Sequence, residues 1–216
     1  MTIPPSDPGA VPPPGIPRRQ LFLTGILAAL LVIAAAVLSF RTISGTWPWA
    51  PAGGAQAAFG GPFALVDANG RAVTDQTFRG KWLMVFFGYT HCPDVCPTTL
   101  NDIAQALDQL GPRGDQIQPL FVTVDPERDD QAALRDYTAS FGNRILGLTG
   151  TAQQIAAMAK TYHVYYARHP EGDSYSMDHS TIVYVMRPDG SPAGFMTPEI
   201  GPAAIGEKMK ALMGKG

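Results

Sequence analysis

The only two cysteines of this chain, Cys92 and Cys96, follow directly on Trp82-Leu-Met-Val-Phe-Phe87, a continuous apolar run. A run of that kind suits a strand buried on both faces, so both thiols are delivered to one place at the end of a core strand. Residues four apart share a face in the first turn of a helix. Two sulfurs so placed can close a disulfide or hold one soft metal ion. A strand feeding a helix also puts them near unpaired backbone N–H groups and the positive end of the helix dipole, which lowers a thiol pKa. Pro97 suits the first helical position, where a missing N–H costs nothing. This predicts Cys96 at the helix entrance and Cys92 in the loop before it. The competing reading is a pair of inert, buried cysteines; the flanking prolines and His91 argue instead for an exposed turn.

Leu21 to Phe40 contains no charged residue and is built from Leu, Ile, Val, Ala and Phe with single Thr, Gly and Ser interruptions. Twenty such residues are enough to span a bilayer. Arg18 and Arg19 precede the run and Arg41 follows it, a balance that favours a cytoplasmic N-terminus and export of everything downstream. A cleaved signal peptide competes, with Ala55-Gln-Ala57 as a small-residue site, but the run exceeds an ordinary signal core and that site lies far beyond its end. Arg18-Arg19-Gln-Leu-Phe also has a faint twin-arginine character. The expectation is a disordered tail over 1–20, whose first 17 residues are rich in Pro and Gly, an uncleaved transmembrane anchor over 21–40, and a linker over 41–61. Trp47 and Trp49 in that linker suit the headgroup level.

Residues 62–216 then make one domain with a single core. They carry 13 Lys and Arg against 17 Asp and Glu, a net charge near −4, so nothing suggests a nucleic-acid surface. Phe63–Val66 and Arg71–Val73 around Asn69-Gly70 read as a hairpin. The spacing predicts helices over 97–110, 129–141, 151–162 and 202–213. Strands are expected over 82–87, 117–124, 145–148 and 164–167, and, after a polar loop, over 180–186 and 193–196. This order implies an α/β sandwich with a central mixed sheet. With the two-cysteine motif between the first core strand and its helix, the pattern resembles a thioredoxin-like fold with insertions, preceded by one transmembrane helix.

Three segments together resemble the Sco/SenC family of membrane-anchored copper chaperones. They are FGYTHCPDVCPTTL around the cysteines, VTVDPERDD at 122–130, and DHSTIVYVMRPDG at 178–190. The resemblance covers most of residues 60–213. It implies an exported thioredoxin-like domain that binds copper through Cys92, Cys96 and His179. Two thiolates and an imidazole are a soft, low-coordinate set that suits Cu(I), and with one more ligand Cu(II). The resemblance further implies delivery of copper to the dinuclear site of cytochrome c oxidase subunit II, with other copper chaperones or thiol reductases as partners. The location implied is a bacterial inner membrane facing the periplasm, or a mitochondrial inner membrane facing the intermembrane space. No catalytic residue is needed for such transfer.

His91 adjoins the cysteines, but the Cys92 turn is expected to direct it away; His163, near a helix end, and His169, in the polar loop, read as solvated. Asp178 is read equally as a group orienting His179 and as a solvated loop carboxylate, and Met177 as a loop side chain. Asp94 either tunes the site or satisfies a turn. Asp125, Glu127, Asp129 and Asp130 are expected to cap the next helix. A second reading is a thiol-disulfide oxidoreductase in which Cys92 and Cys96 cycle, one that reduces the cysteines of a copper acceptor included. The three residues between the cysteines, against two in thioredoxin-type catalysts, weigh against it. A peroxidase lacks support because Tyr89, not threonine, stands three residues before Cys92.

Overall fold

The chain enters its sheet through a hairpin of β1 (Ala64–Asp67) and β2 (Ala72–Thr74). The buried Asp67 carboxylate shapes the turn by accepting the amides of Asn69 and Arg71 at 2.8 and 2.9 Å, and Gly70 supplies the positive φ of 82°. This computed structural model describes residues 31–33, 35, 59–197 and 200–214. Next come β3 (Trp82–Gly88), α1 (Val95–Leu110), β4 (Ile117–Thr123), α2 (Gln131–Ala139), β5 (Leu146–Thr149) and α3 (Ala152–Thr161). A separate hairpin of β6 (Tyr166–Glu171) and β7 (Ser174–His179) precedes β8 (Val183–Met186), β9 (Pro192–Met196) and α4 (Gly201–Met213).

Seven strands form one mixed sheet in the order β2-β1-β5-β4-β3-β8-β9. β3, β4 and β5 run parallel, whereas β8 and β9 return antiparallel on the other side of β3. Every residue of β3 is buried, as its unbroken apolar sequence requires. Phe86 and Phe87 point to opposite faces. Phe86 lies 6.2 Å from Phe121 on one side, and Phe87 lies 5.5 Å from Tyr162, at the end of α3, on the other. α1 packs against α4, and Tyr137 of α2 reaches Phe121 at 5.4 Å. This is the thioredoxin-like α/β fold with a central mixed sheet that the sequence predicts.

Four expectations need correction. The polar loop is the hairpin β6–β7, closed by Gly172 (φ 56°) and Asp173. Its strands are half exposed, β6 includes Pro170 and does not alternate, and the alternation of β7 is confined to Tyr175, Met177 and His179 between polar residues, which leaves a weak strand signal. The following strand starts at Val183 rather than Ser180, and α1 starts at Val95, two residues before Pro97. Phe59, assigned above to the linker, packs 5.1 Å from Tyr184, and Gly60 N–H donates to the Thr161 carbonyl at 2.8 Å.

The expected tail, most of the anchor and most of the linker lie outside the described residues. Leu31–Ile33 and Ala35 are helical and exposed. Among the described residues no helix is long and apolar enough to cross a membrane.

Phe121 is fully buried at the centre of the sheet. Phe121→Ala is expected to destabilise the domain by about 3–5 kcal/mol, seen as a lower urea midpoint with an unchanged slope.

Candidate metal centre

The cysteine loop leaves the sheet at the carboxyl end of β3, where open α/β sheets place their binding residues. Gly88 ends the strand for a steric reason: a Cβ there would stand 2.6 Å from the Cys96 sulfur and 2.7 Å from the Phe121 ring. The missing side chain makes room for the sulfur. The loop turns through a bond from the Cys92 amide to the Tyr89 carbonyl at 3.2 Å. Cys96 is then the second residue of α1, and Pro97 the third, still within the turn whose N–H groups have no helical partner. Asp94 stands at the helix N-cap but makes no side-chain capping bond. Instead the Cys96 amide points at the Cys92 sulfur at 3.5 Å, so a thiolate occupies the position that favours an anion.

His179 arrives from the end of β7. Its Nε2 lies 3.4 Å from the Cys96 sulfur, and its Nδ1 lies 3.1 Å from the Ser180 carbonyl oxygen. A carbonyl only accepts, so Nδ1 donates to it, and Nε2 is the ring nitrogen that faces the sulfurs. The edges of Phe86 and Tyr89 pack the ring, with centroids at 6.1 and 5.9 Å. The two sulfurs and a histidine nitrogen all lie within 4.8 Å of one another, with both cysteines buried and unbridged. The structure thus brings together the three residues singled out in the sequence.

The two thiols share one proton. The hydrogen bond from Cys96 is the largest influence on Cys92; against the cost of burial, and helped by His179 and the amides of Asp94 and Cys96, it pulls the Cys92 pKa down to about 4. Cys96 is pushed up, because it is the donor to that thiolate and because it is buried. The arrangement is one thiolate backed by a protonated thiol, both buried.

The other histidines go elsewhere. His91 Nδ1 faces the Thr90 hydroxyl at 3.0 Å, away from the sulfurs as expected. His163 ends α3 with φ 56° and remains exposed. His169 is exposed but not merely solvated, since its Nε2 meets Asp178 at 2.8 Å. That contact removes Asp178 from His179, whose orienting partner is the Ser180 carbonyl. Met177 is buried on β7 rather than loose in a loop.

In the acidic segment Asp130 caps α2 as expected, accepting the Ala133 amide at 2.8 Å. Asp129 does something the sequence did not announce. Its fully buried carboxylate accepts the Thr90 amide and hydroxyl at 2.9 and 2.6 Å and the Thr123 hydroxyl at 2.7 Å. It ties the start of the cysteine loop to the end of β4. No periodic signal links residues 90, 123 and 129; the only hint was an acidic run directly after a core strand.

Two outcomes follow. Thiolate absorbance of the reduced, metal-free protein should persist as pH falls far below the usual thiol range near 8.5 and disappear around pH 4. Cys96→Ala should move that midpoint upward. Gly88→Ala should displace the Cys96 sulfur, lowering the thermal midpoint and raising the Cys92 midpoint, while a Gly206→Ala control in α4, with open space around it and an ordinary backbone angle, leaves the thiol titration unchanged.

Comparison with known proteins places the chain in a family. The sequence model of the SCO1/SenC family matches residues 51–214. A mitochondrial SCO2 homolog from Bos taurus is 42% identical over 182 residues, covering 82% of this chain and 68% of that protein. A mitochondrial SCO1 homolog from Homo sapiens is 41% identical over 135 residues, 61% of this chain and 45% of its own length. The crystal structure of Arabidopsis thaliana ScoI with copper bound superposes with a TM-score of 0.71 at 34% identity, covering 74% of this chain and all of that one. Bradyrhizobium japonicum ScoI with copper bound gives 0.68 at 41% identity over 72% of this chain and 99% of its own. With the family match extending over most of its length, this chain belongs to the SCO1/SenC family.

Proposed function

We propose that this protein binds copper through Cys92, Cys96 and His179 and hands it to the dinuclear copper site of cytochrome c oxidase subunit II. The observation that carries this reading is the convergence of two sulfurs and one imidazole nitrogen within 4.8 Å. The donor set is soft and low in number, which suits Cu(I), and an additional ligand would extend it to Cu(II). Three ligands at the mouth of a sheet leave a side open for a partner's ligand, so transfer proceeds by exchange. Ligation by both sulfurs expels the proton that Cys92 and Cys96 share, so copper binding releases protons. Once the ion has left, exchange with a partner disulfide, which takes up the two electrons and two protons, joins the same sulfurs.

The solved relatives described as copper-bound support the choice of metal. The uncharged run over 21–40 supports a single membrane anchor, with the domain from about residue 62 on the exported side. The relatives named as mitochondrial make the mitochondrial inner membrane one setting for it and a bacterial inner membrane the other.

One observation favours a second reading. A depressed Cys92 pKa beside a protonated, buried Cys96 is the division of labour of an attacking and a resolving thiol. A thiol-disulfide oxidoreductase, for instance one that reduces the acceptor's cysteines or works with a separate thiol reductase, would use it.

Anaerobic titration of the reduced full chain in detergent with Cu(I) against a competing chelator separates the two. The expected result is one copper per chain, with His179→Ala weakening binding by at least about tenfold and leaving the rate of thiol exchange intact. Weak binding that His179→Ala does not change would favour the oxidoreductase.

A further inference from the structure

Side chains alternate along β7, so Tyr175, Met177 and His179 share one face of the hairpin. Neither β6 nor β7 pairs with the seven-stranded sheet; they pair only with each other. A lone two-stranded ribbon is marginal by itself, so the position of His179 depends on what grips the hairpin from the side. Met177 is buried in the core, and a second grip is on Tyr175. Its ring lies 3.6 Å from the guanidinium carbon of Arg128 and 3.5 Å from that of Arg168. Two such groups cannot stand so close over one face without overlapping, so the ring is sandwiched. Its hydroxyl donates to Asp125 Oδ1 at 2.8 Å, and its carbonyl accepts from Arg128 Nη1 at 2.9 Å. Arg128 Nε completes the ring of bonds by donating to the other Asp125 oxygen, and Arg168 is held by Glu127 at 2.9 Å.

The turn that supplies this grip also holds the other half of the site. The Asp129 amide donates to the Asp125 carbonyl at 3.0 Å, and the Asp129 carboxylate carries the Thr90 backbone two residues before Cys92. One five-residue turn therefore fixes the cysteine loop at one end and the histidine hairpin at the other.

We propose that Asp125, Arg128 and Tyr175 form a clasp that positions His179 against the two sulfurs, a role that rests on His179 being a copper ligand. Tyr175 is a positioning residue acting through β7; it lies four residues, about 13 Å of strand, from the imidazole. Losing the Tyr175 hydroxyl bond leaves the thiol pair in place and loosens the histidine, whereas Arg128 also stands 5.8 Å from the centre of the Tyr89 ring in the cysteine loop.

The test uses the full chain in detergent with Tyr175→Phe, which removes only the hydroxyl bond, and Arg128→Ala, which removes most of the clasp. Should Arg128→Ala fail to fold, Tyr175→Phe carries the test. The first readout is the His179 imidazole resonance of the metal-free protein, and the second is Cu(I) affinity with and without His179→Ala. The resonance is expected to shift and broaden in the variants while the amide signals of the main sheet stay in place. Affinity is expected to fall about tenfold in Arg128→Ala and less in Tyr175→Phe, and the Tyr175→Phe fall should vanish in the His179→Ala background. An unchanged His179 resonance overturns the clasp whatever copper does, and so does a Tyr175→Phe affinity loss that persists at full size without His179. A shifted resonance in a protein whose His179→Ala variant binds copper as tightly as wild type upholds the clasp and overturns the ligand assignment beneath it.

Discussion

Strand β3 is buried along its whole length and paired on both edges, and both halves of the candidate metal centre hang from it. The cysteine loop leaves its carboxyl end directly. β8 runs antiparallel to β3 with Phe86 opposite Val183, so the segment entering β8 must arrive at the same end of the sheet. His179 lies on that segment. Residues 83 positions apart in sequence thus meet within hydrogen-bonding distance as a consequence of strand polarity. A parallel partner on that edge would have carried the histidine to the opposite end.

The chemistry of the sulfur pair is set by two kinds of burial. Cys96 occupies the space that Gly88 leaves open and is fully enclosed, which favours its neutral thiol. Cys92, at the edge, collects the helix-entrance amide and the Cys96 proton and holds the charge. Such a pair is ready for ligation and for disulfide exchange alike, which is why the thiols alone do not separate a copper carrier from a reductant. The imidazole makes the difference. Its Nδ1–H is committed to a carbonyl, leaving Nε2 as the nitrogen that faces the sulfurs.

The turn from Asp125 to Asp129 has a larger part than helix capping. Asp130 alone carries the capping role, while its neighbours hold loop, strand and hairpin together through two buried carboxylates and one arginine. Charged groups in such surroundings are costly unless fully bonded. Their bonds span three separate parts of the chain, so the geometry of the site is shared among distant residues rather than stored in the cysteine motif.

The sequence determined the elements whose signals are local. The apolar run of β3, the periodic faces of the helices, the Asn69-Gly70 turn and the pairing of two thiols in one loop all rest on interactions between near neighbours, and all are present in the fold. His179 was legible only through family resemblance, because nothing in its immediate surroundings distinguishes it from His91 or His169. The tertiary structure alone decided the rest. The β6–β7 hairpin is polar and half exposed, and its one short alternation, Tyr175, Met177 and His179, is too brief to mark it. Gly88 matters through a sulfur eight residues on, and Asp129 and Tyr175 through partners about 40 to 50 residues away. Long-range steric fit and buried hydrogen bonding leave no period in a sequence, since they depend on which surfaces the sheet brings face to face.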